Sequence, residues 1–249
     1  MPITTGHPAI ILPLCKYSKW FSTTGLIIGS ISPDLEYLIH LAPKRTFGHS
    51  ISDAWWFDLI ICLVFSIVFH AFVRDVIIDR MPLFLQERFY RFKKFNWLKY
   101  LSNNWLVFLT SSLIGIYSHI LWDSITHTGI VTDSIPILKH NLFQVYGIDI
   151  LIYKVLQQLS SFIGSLYVIY YVFKLRRTTI LDQTSNWYLF WIWIVFLGLI
   201  ISTVLSKKLI GIYSPSIAYF VKLVLLVASS TLVGLVISSA FISLRTESR

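Results

Sequence analysis

Residues 118 to 127 read SHILWDSITH, and three of them, His119, Asp123 and His127, are spaced four apart. They close an apolar run, Trp105 to Leu121, WLVFLTSSLIGIYSHIL. In a helix, positions i and i+4 share a face one turn apart. An imidazole and a carboxylate so placed can ligate one ion together, as i,i+4 pairs do in helical zinc sites. His127 drifts only about 40° further round. It joins the same site, or a neighbouring one, if the helix runs on to Gly129, a residue type suited to a helix end. Ionisable groups at membrane depth are costly and normally have a functional reason. The plainer alternative is polar contact between packed helices, with His119 hydrogen-bonding a neighbour.

The elements that must position this stripe are membrane helices. The chain has 249 residues, 55% hydrophobic and only 13% charged, where soluble domains carry about a quarter charged. Its apolar runs reach the roughly 20 residues that cross a bilayer as a helix, and they do not alternate as barrel strands would. The expected fold is all-α and polytopic, with about five spans near Phe57–Val73, Trp105–Trp122, Ile150–Phe173, Trp187–Leu205 and Ser216–Ile242. Phe21–Ile31 is apolar but too short to cross, and reads as an interfacial or re-entrant helix. A second helix start is expected at Ser32-Pro33-Asp34, with serine as cap and proline in the first position. Residues 1–130 form the metal-site region with the first two spans; residues 131–249 add the remaining helices to the same bundle. MPITTGHPAI lacks a basic region and a small-residue cleavage site, so no cleaved signal peptide is expected. Cys15 and Cys62 give neither a disulfide framework nor a zinc knuckle.

The net charge of +9 reports orientation and contact with anionic lipid, not nucleic-acid binding. Arg74, Arg80, Arg88, Arg91, Lys93, Lys94 and Lys99 share one loop, and Lys174, Arg176 and Arg177 begin the next loop on that side. The opposite loop, Asp123 to Asp149, has only Lys139, and Lys207 with Lys208 is a mild exception. Basic loops face the cytoplasm, which places residues 1–56 and the end of the second span together on the outer face. Six candidate metal ligands then share one side: His7, Asp34, His49, His119, Asp123 and His127. Mixed nitrogen and carboxylate donors suit zinc, manganese or iron, and six donors exceed one tetrahedral site, so one or two ions fit.

Other polar residues read as structural. His70 lies about 20 Å along its helix from the outer end and suits a hydrogen bond within the bundle. His40 and His140 read as solvated or interfacial, and Glu36 as a weak second candidate. Asp53 and Asp58 read as first-turn carboxylates, the Trp187–Trp193 cluster as a membrane anchor, and Arg88, Arg91, Lys93 and Lys94 as a topology and anionic-lipid determinant.

TTGHPAIILPL, GSISPDLEYL, FGHS and SHILWDSITH resemble, in order and spacing, the motifs of an uncharacterised bacterial integral membrane family, domain of unknown function 4184. That family is similar to membrane-bound metal-dependent hydrolases. More distantly the arrangement looks like zinc-dependent phospholipase C and P1-type nuclease, all-helical phosphodiesterases with an early histidine, an aspartate followed by a histidine, and an H-x-x-x-D helix. The matching residues are His7, Asp34, His49, His119 and Asp123. The later H-x-x-x-E helix of those enzymes has no counterpart after His127, which favours one or two ions over three.

The resemblance implies a hydrolase of phosphoester bonds in a lipid or other amphiphile at the outer face of the bacterial inner membrane. It implies His119, Asp123, Asp34 and His49 as ligands, His7 on a second ion with Asp123 as a bridge, and His127 as a further ligand or acid/base. Asp34 and His127 are the candidate catalytic residues, with Ser118 and Thr126 as donors that orient ligands. The alternatives are a metal- or proton-handling transporter or sensor, and a structural protein. A transporter should carry polar residues near the bilayer midplane, and the later spans offer only Gln157, Gln158 and Lys222.

Overall fold

The computed structural model describes residues 4–40, 47, 50–93, 95–145, 148–180, 186–209 and 217–247. Two 3-10 helices, Thr4–Ile10 and Leu12–Lys16, lead into α1 (Thr23–His40). Then α2 (Phe57–Val68) runs through a π-helical turn, Phe69–Val73, into α3 (Arg74–Asp79). The short helices α4 (Leu83–Phe89) and α5 (Trp97–Asn103) precede α6 (Trp105–Thr126) and α7 (Ile130–Ser134). An antiparallel hairpin of β1 (Asn141–Val145) and β2 (Ile148–Leu151) follows. The chain finishes with α8 (Ile152–Lys174), α9 (Trp187–Leu209) and α10 (Ile217–Glu247).

Among the described residues, five helical stretches are long and apolar enough to cross a membrane: Asp53–Asp79, Trp105–Thr126, Ile152–Lys174, Trp187–Leu205 and Lys222–Arg245. Their outward faces are apolar, with Phe162, Ile163 and Ile169 on α8 and Ile192, Trp193 and Phe196 on α9 all exposed. A surface of that kind suits lipid, not water. The chain is an all-α, polytopic membrane protein, and its spans fall where hydropathy places them.

One expected helix boundary is overturned. No new helix starts at Ser32; α1 is continuous from Thr23 to His40, with Pro33 inside it. Proline cannot donate to the carbonyl four residues back, which here belongs to Gly29. The Ser32 Oγ donates to that carbonyl at 3.0 Å, so the acceptor stays satisfied and the helix passes through.

The chain divides into two compact units. The first comprises Met1–Asp34, Phe47–Leu63 and Asn104–Lys174. Within it α1 runs parallel to α6: the Ser22 amide donates to Ser111 Oγ at 2.8 Å, and Ser30 O meets His119 Nδ1 at 2.8 Å. Small residues permit this approach. A Cβ on Gly29 would collide with the Ser112 carbonyl, and one on Gly115 with the Leu26 carbonyl. Close helix–helix contact through small residues is the usual packing mode in bilayers, where lipid is as apolar as leucine. From His7, beside Asp123, the chain passes along α6 to Ser22, beside Ser111, and α1 then returns. Helix α8 runs antiparallel to α6, with Gln157 near His127 and Ser160 near Trp122. The Thr4–Ile10 helix lies directly on α8, where a Cβ on Gly6 would come within 2.9 Å of Ser161 O.

The second unit comprises Leu35–Thr46, Val64–Asn103 and Leu175–Arg249. Helices α9 and α10 pair where Gly198 meets Thr231, and Phe190 and Ile194 pack on Val76 of α3. His70 stacks on Trp97, ring centroids 4.6 Å apart, and its Nδ1 lies 3.2 Å from Arg74. The Arg74 guanidinium also donates to the carbonyls of Phe95 and Lys93.

Candidate metal centre

Three elements of the first unit converge at the C-terminal end of α6. That helix supplies His119, fully buried, and Asp123, 5% exposed. The Thr4–Ile10 helix supplies His7, 4% exposed, and α1 supplies Asp34, 6% exposed. His127 follows α6 and retains more access, with 19% of its side chain exposed. The helix does not run on to Gly129 as its sequence suggested. It ends at Thr126, and His127 is the extended capping residue, at φ −124° and ψ 162°. Its amide still donates to Asp123 O at 2.9 Å, which keeps its ring beside the carboxylate.

Asp123 lies at the centre. Its Oδ1 is 3.8 Å from His7 Nε2 and 3.4 Å from His127 Nδ1, and its Oδ2 is 3.6 Å from His119 Nε2. His119 Nε2 also lies 3.7 Å from Asp34 Oδ1. One donor atom from each of His7, His119 and Asp123 falls within 4.8 Å of the others. These separations exceed hydrogen-bond lengths, which run 2.7–3.2 Å. They approach the edge of a tetrahedron around one ion, about 3.4 Å for bonds of 2.1 Å.

The surroundings fix how the rings face. His119 Nδ1 meets the Ser30 carbonyl at 2.8 Å; a carbonyl only accepts, so Nδ1 carries the proton. Nε2 then faces Asp34 and Asp123. Metal-ligating histidines typically donate their other N–H to a carbonyl or carboxylate in this way. A lone pair facing two carboxylates is repulsive without a cation or proton between them. His7 stacks on His119, ring centroids 3.8 Å apart, and its Nδ1 is buried without a hydrogen-bond partner among the described residues. Burial first, and then the neighbouring His119, holds the His7 pKa down at about 4, against the opposing pull of Asp123 and Asp34. The ring is therefore neutral at pH 7, the form that ligates metal. Donor set, spacing and tautomer all fit a divalent cation held by His7, His119 and Asp123, with Asp34 and His127 alongside.

Of the six residues singled out by sequence, five meet here, and His49 lies outside the described residues. Ser118 does not orient a ligand; its Oγ donates to Gly115 O in its own helix. Thr126 Oγ1 donates to Trp122 O and lies 3.4 Å from His127 Nδ1. Glu36 turns away to His40, 3.2 Å distant. Three supporting groups escaped the sequence reading. Thr4 Oγ1 donates to Asp34 Oδ2 at 2.7 Å, the Ser30 carbonyl orients His119, and the Gln157 amide sits 2.7 Å from His127 Nε2. Only Gln157 left a trace, as an amide in an apolar helix. A threonine near the N-terminus and a backbone carbonyl carry no signal of their own.

Fold and site together define a multi-pass helical membrane protein with a buried histidine–aspartate cluster able to hold a metal ion. A family model, Domain of unknown function (DUF4184), matches residues 1–240, and the chain belongs to that family. No curated protein and no solved structure matches it.

Proposed function

We propose that this protein is a metal-dependent hydrolase of the bacterial inner membrane, acting on phosphoester bonds of a lipid or other amphiphile at the outer face. The observation that carries it is the convergence of His7, His119 and Asp123 donor atoms within 4.8 Å in a buried site. His119 Nδ1 on the Ser30 carbonyl strengthens it, since that bond aims Nε2 into the cluster. Zinc is the first choice of ion, manganese or iron the next, because two imidazoles and a carboxylate suit all three. A divalent cation held there supplies Lewis acidity toward water and toward a phosphoryl oxygen.

The chain's own residues have separable roles. His7, His119 and Asp123 hold the ion. Asp34, kept in place by Thr4, shares the charge at His119 and is a candidate proton acceptor. His127 is the member with access to solvent, and so the candidate to move protons between site and substrate. Gln157 sets its tautomer: an amide NH2 toward Nε2 puts the ring proton on Nδ1, and an amide oxygen there frees Nδ1 as a ligand. The lysines and arginines of 74–99 and 174–177 support the outward orientation of the site.

The test is elemental mass spectrometry on the detergent-purified chain, beside the double variant His119→Ala/Asp123→Ala. About one or two zinc, manganese or iron ions per chain, lost in the double variant, are expected. A metal-loaded wild type that leaves bis-nitrophenyl phosphate and short-chain phospholipids intact refutes the hydrolase. A wild type that binds none of the three ions refutes the metal site as well.

A further inference from the structure

A cleft of about 590 Å³ opens beside His127, within the first unit. Small-molecule sites commonly have volumes of about 300–1,000 Å³. Its walls include His127 and Thr128 after α6, and Tyr153, Lys154, Gln157 and Gln158 from the first turns of α8. Lys154, Gln157 and Gln158 stand at i, i+3 and i+4, so they share one face of that helix. Gln157 is 8% exposed and bonded to His127; it links the cleft to the metal cluster. Lys154 is exposed and takes no part in the ion pairs found among the described residues.

We propose that this cleft binds the phosphate head group of a membrane amphiphile, with Lys154 as the residue that recognises its charge. Three observations favour that occupant. First, the polar wall offers an ammonium and amide N–H groups, donors for a multi-oxygen anion. Among the described residues, no carboxylate lines the cleft. Second, Lys154 lies only two residues inside an apolar membrane helix, on the side that the basic loops avoid. A cation there is costly unless its head reaches water or an anion. Third, the lining also carries apolar side chains, Ile150, Val155 and Leu159, and Leu159 is 52% exposed. Polar donors beside exposed apolar side chains suit a head group and its acyl chain together. The proposal deepens the hydrolase reading, in which the head group would lie beside His127. The affinity for an anion stands on the cleft alone.

The test is binding to the full chain in phosphatidylcholine nanodiscs, for wild type, Lys154→Gln and Lys154→Arg. The probes are dioctanoyl phosphatidate, inorganic phosphate and dioctanoylglycerol. Phosphatidate should bind at least 10-fold more tightly than the uncharged dioctanoylglycerol. Lys154→Gln should weaken phosphatidate about 10-fold, the scale of one charge-assisted contact, and Lys154→Arg should largely restore it. Unchanged affinity in Lys154→Gln, or equal affinity for dioctanoylglycerol, overturns the proposal. Inorganic phosphate binding as tightly as phosphatidate overturns the amphiphile and leaves a site for free phosphate. Metal content measured on the same samples keeps the two readings apart. Lys154-dependent binding in a chain that holds no metal would sink the hydrolase and leave the cleft standing.

Discussion

Helices α6 and α10 both carry buried polar residues within long apolar stretches, yet they use them in opposite ways. In α10 the hydroxyls of Ser229 and Thr231 donate to carbonyls of their own helix, Leu225 O and Val227 O, at 2.8 and 2.7 Å. Ser202 in α9 does the same with Leu199 O. In α6, His119 and Asp123 reach outward, to Ser30 and Asp34 of α1 and to His7. A hydroxyl can satisfy itself one turn back without any partner helix. An imidazole and a carboxylate each bring two polar atoms, and for His119 and Asp123 those atoms are met by other elements. Polarity in a membrane helix thus marks a site only where its bonds leave the helix.

Substitutions can break that contrast, and the largest effect is expected where α1 meets α6. Leucine at Gly115 must push against the Leu26 carbonyl and the Ser30 amide. It should cost about 3 kcal/mol or more, the upper end of overpacking. It should also empty the metal site, because α1 carries both Ser30 and Asp34. Thermal unfolding in detergent and metal content check this; a variant that keeps its metal would show that α1 does not hold the site.

The next effect is smaller and depends on pH. The folded His7 pKa of about 4 lies below the ordinary 6.5. The unfolded chain therefore binds more protons between those values, and stability falls as pH falls. For metal-free protein the loss from this group is roughly 2 kcal/mol at pH 5 relative to pH 7.5. His7→Gln should remove that share, seen as a smaller difference between denaturant titrations at the two pH values. An unchanged difference would mean that His7 is not the buried, neutral ring described.

The smallest effect belongs to α10. Ser229→Ala removes only a bond within one helix and should change stability by about 0.5 kcal/mol or less, with metal content unaltered. A loss of metal in that variant would erase the distinction between the two helices.

The membrane class, the five spans and the i,i+4 stripe were legible because each rests on local pattern. Span length follows from hydropathy, and the meeting of His119 with Asp123 follows from helical periodicity. The identity of α1 was not legible. Pro33 looked like a helix start, and only the Ser32 hydroxyl bond to Gly29 O shows why the helix continues. His127 joins its neighbours after the helix has ended, through a capping geometry that residue types do not encode.

By itself, the sequence determined an all-helical membrane chain and a short set of histidines and aspartates, because hydropathy and periodicity act over a few turns. Tertiary structure alone decided which of them meet. It brought residues 7, 34 and 119–127 together through backbone contacts at Gly6, Gly29 and Gly115. It oriented His119 with a main-chain carbonyl and His127 with an amide from a distant helix. Those choices depend on how closely two backbones can approach, and that is a property of pairs of elements which no single stretch of sequence carries.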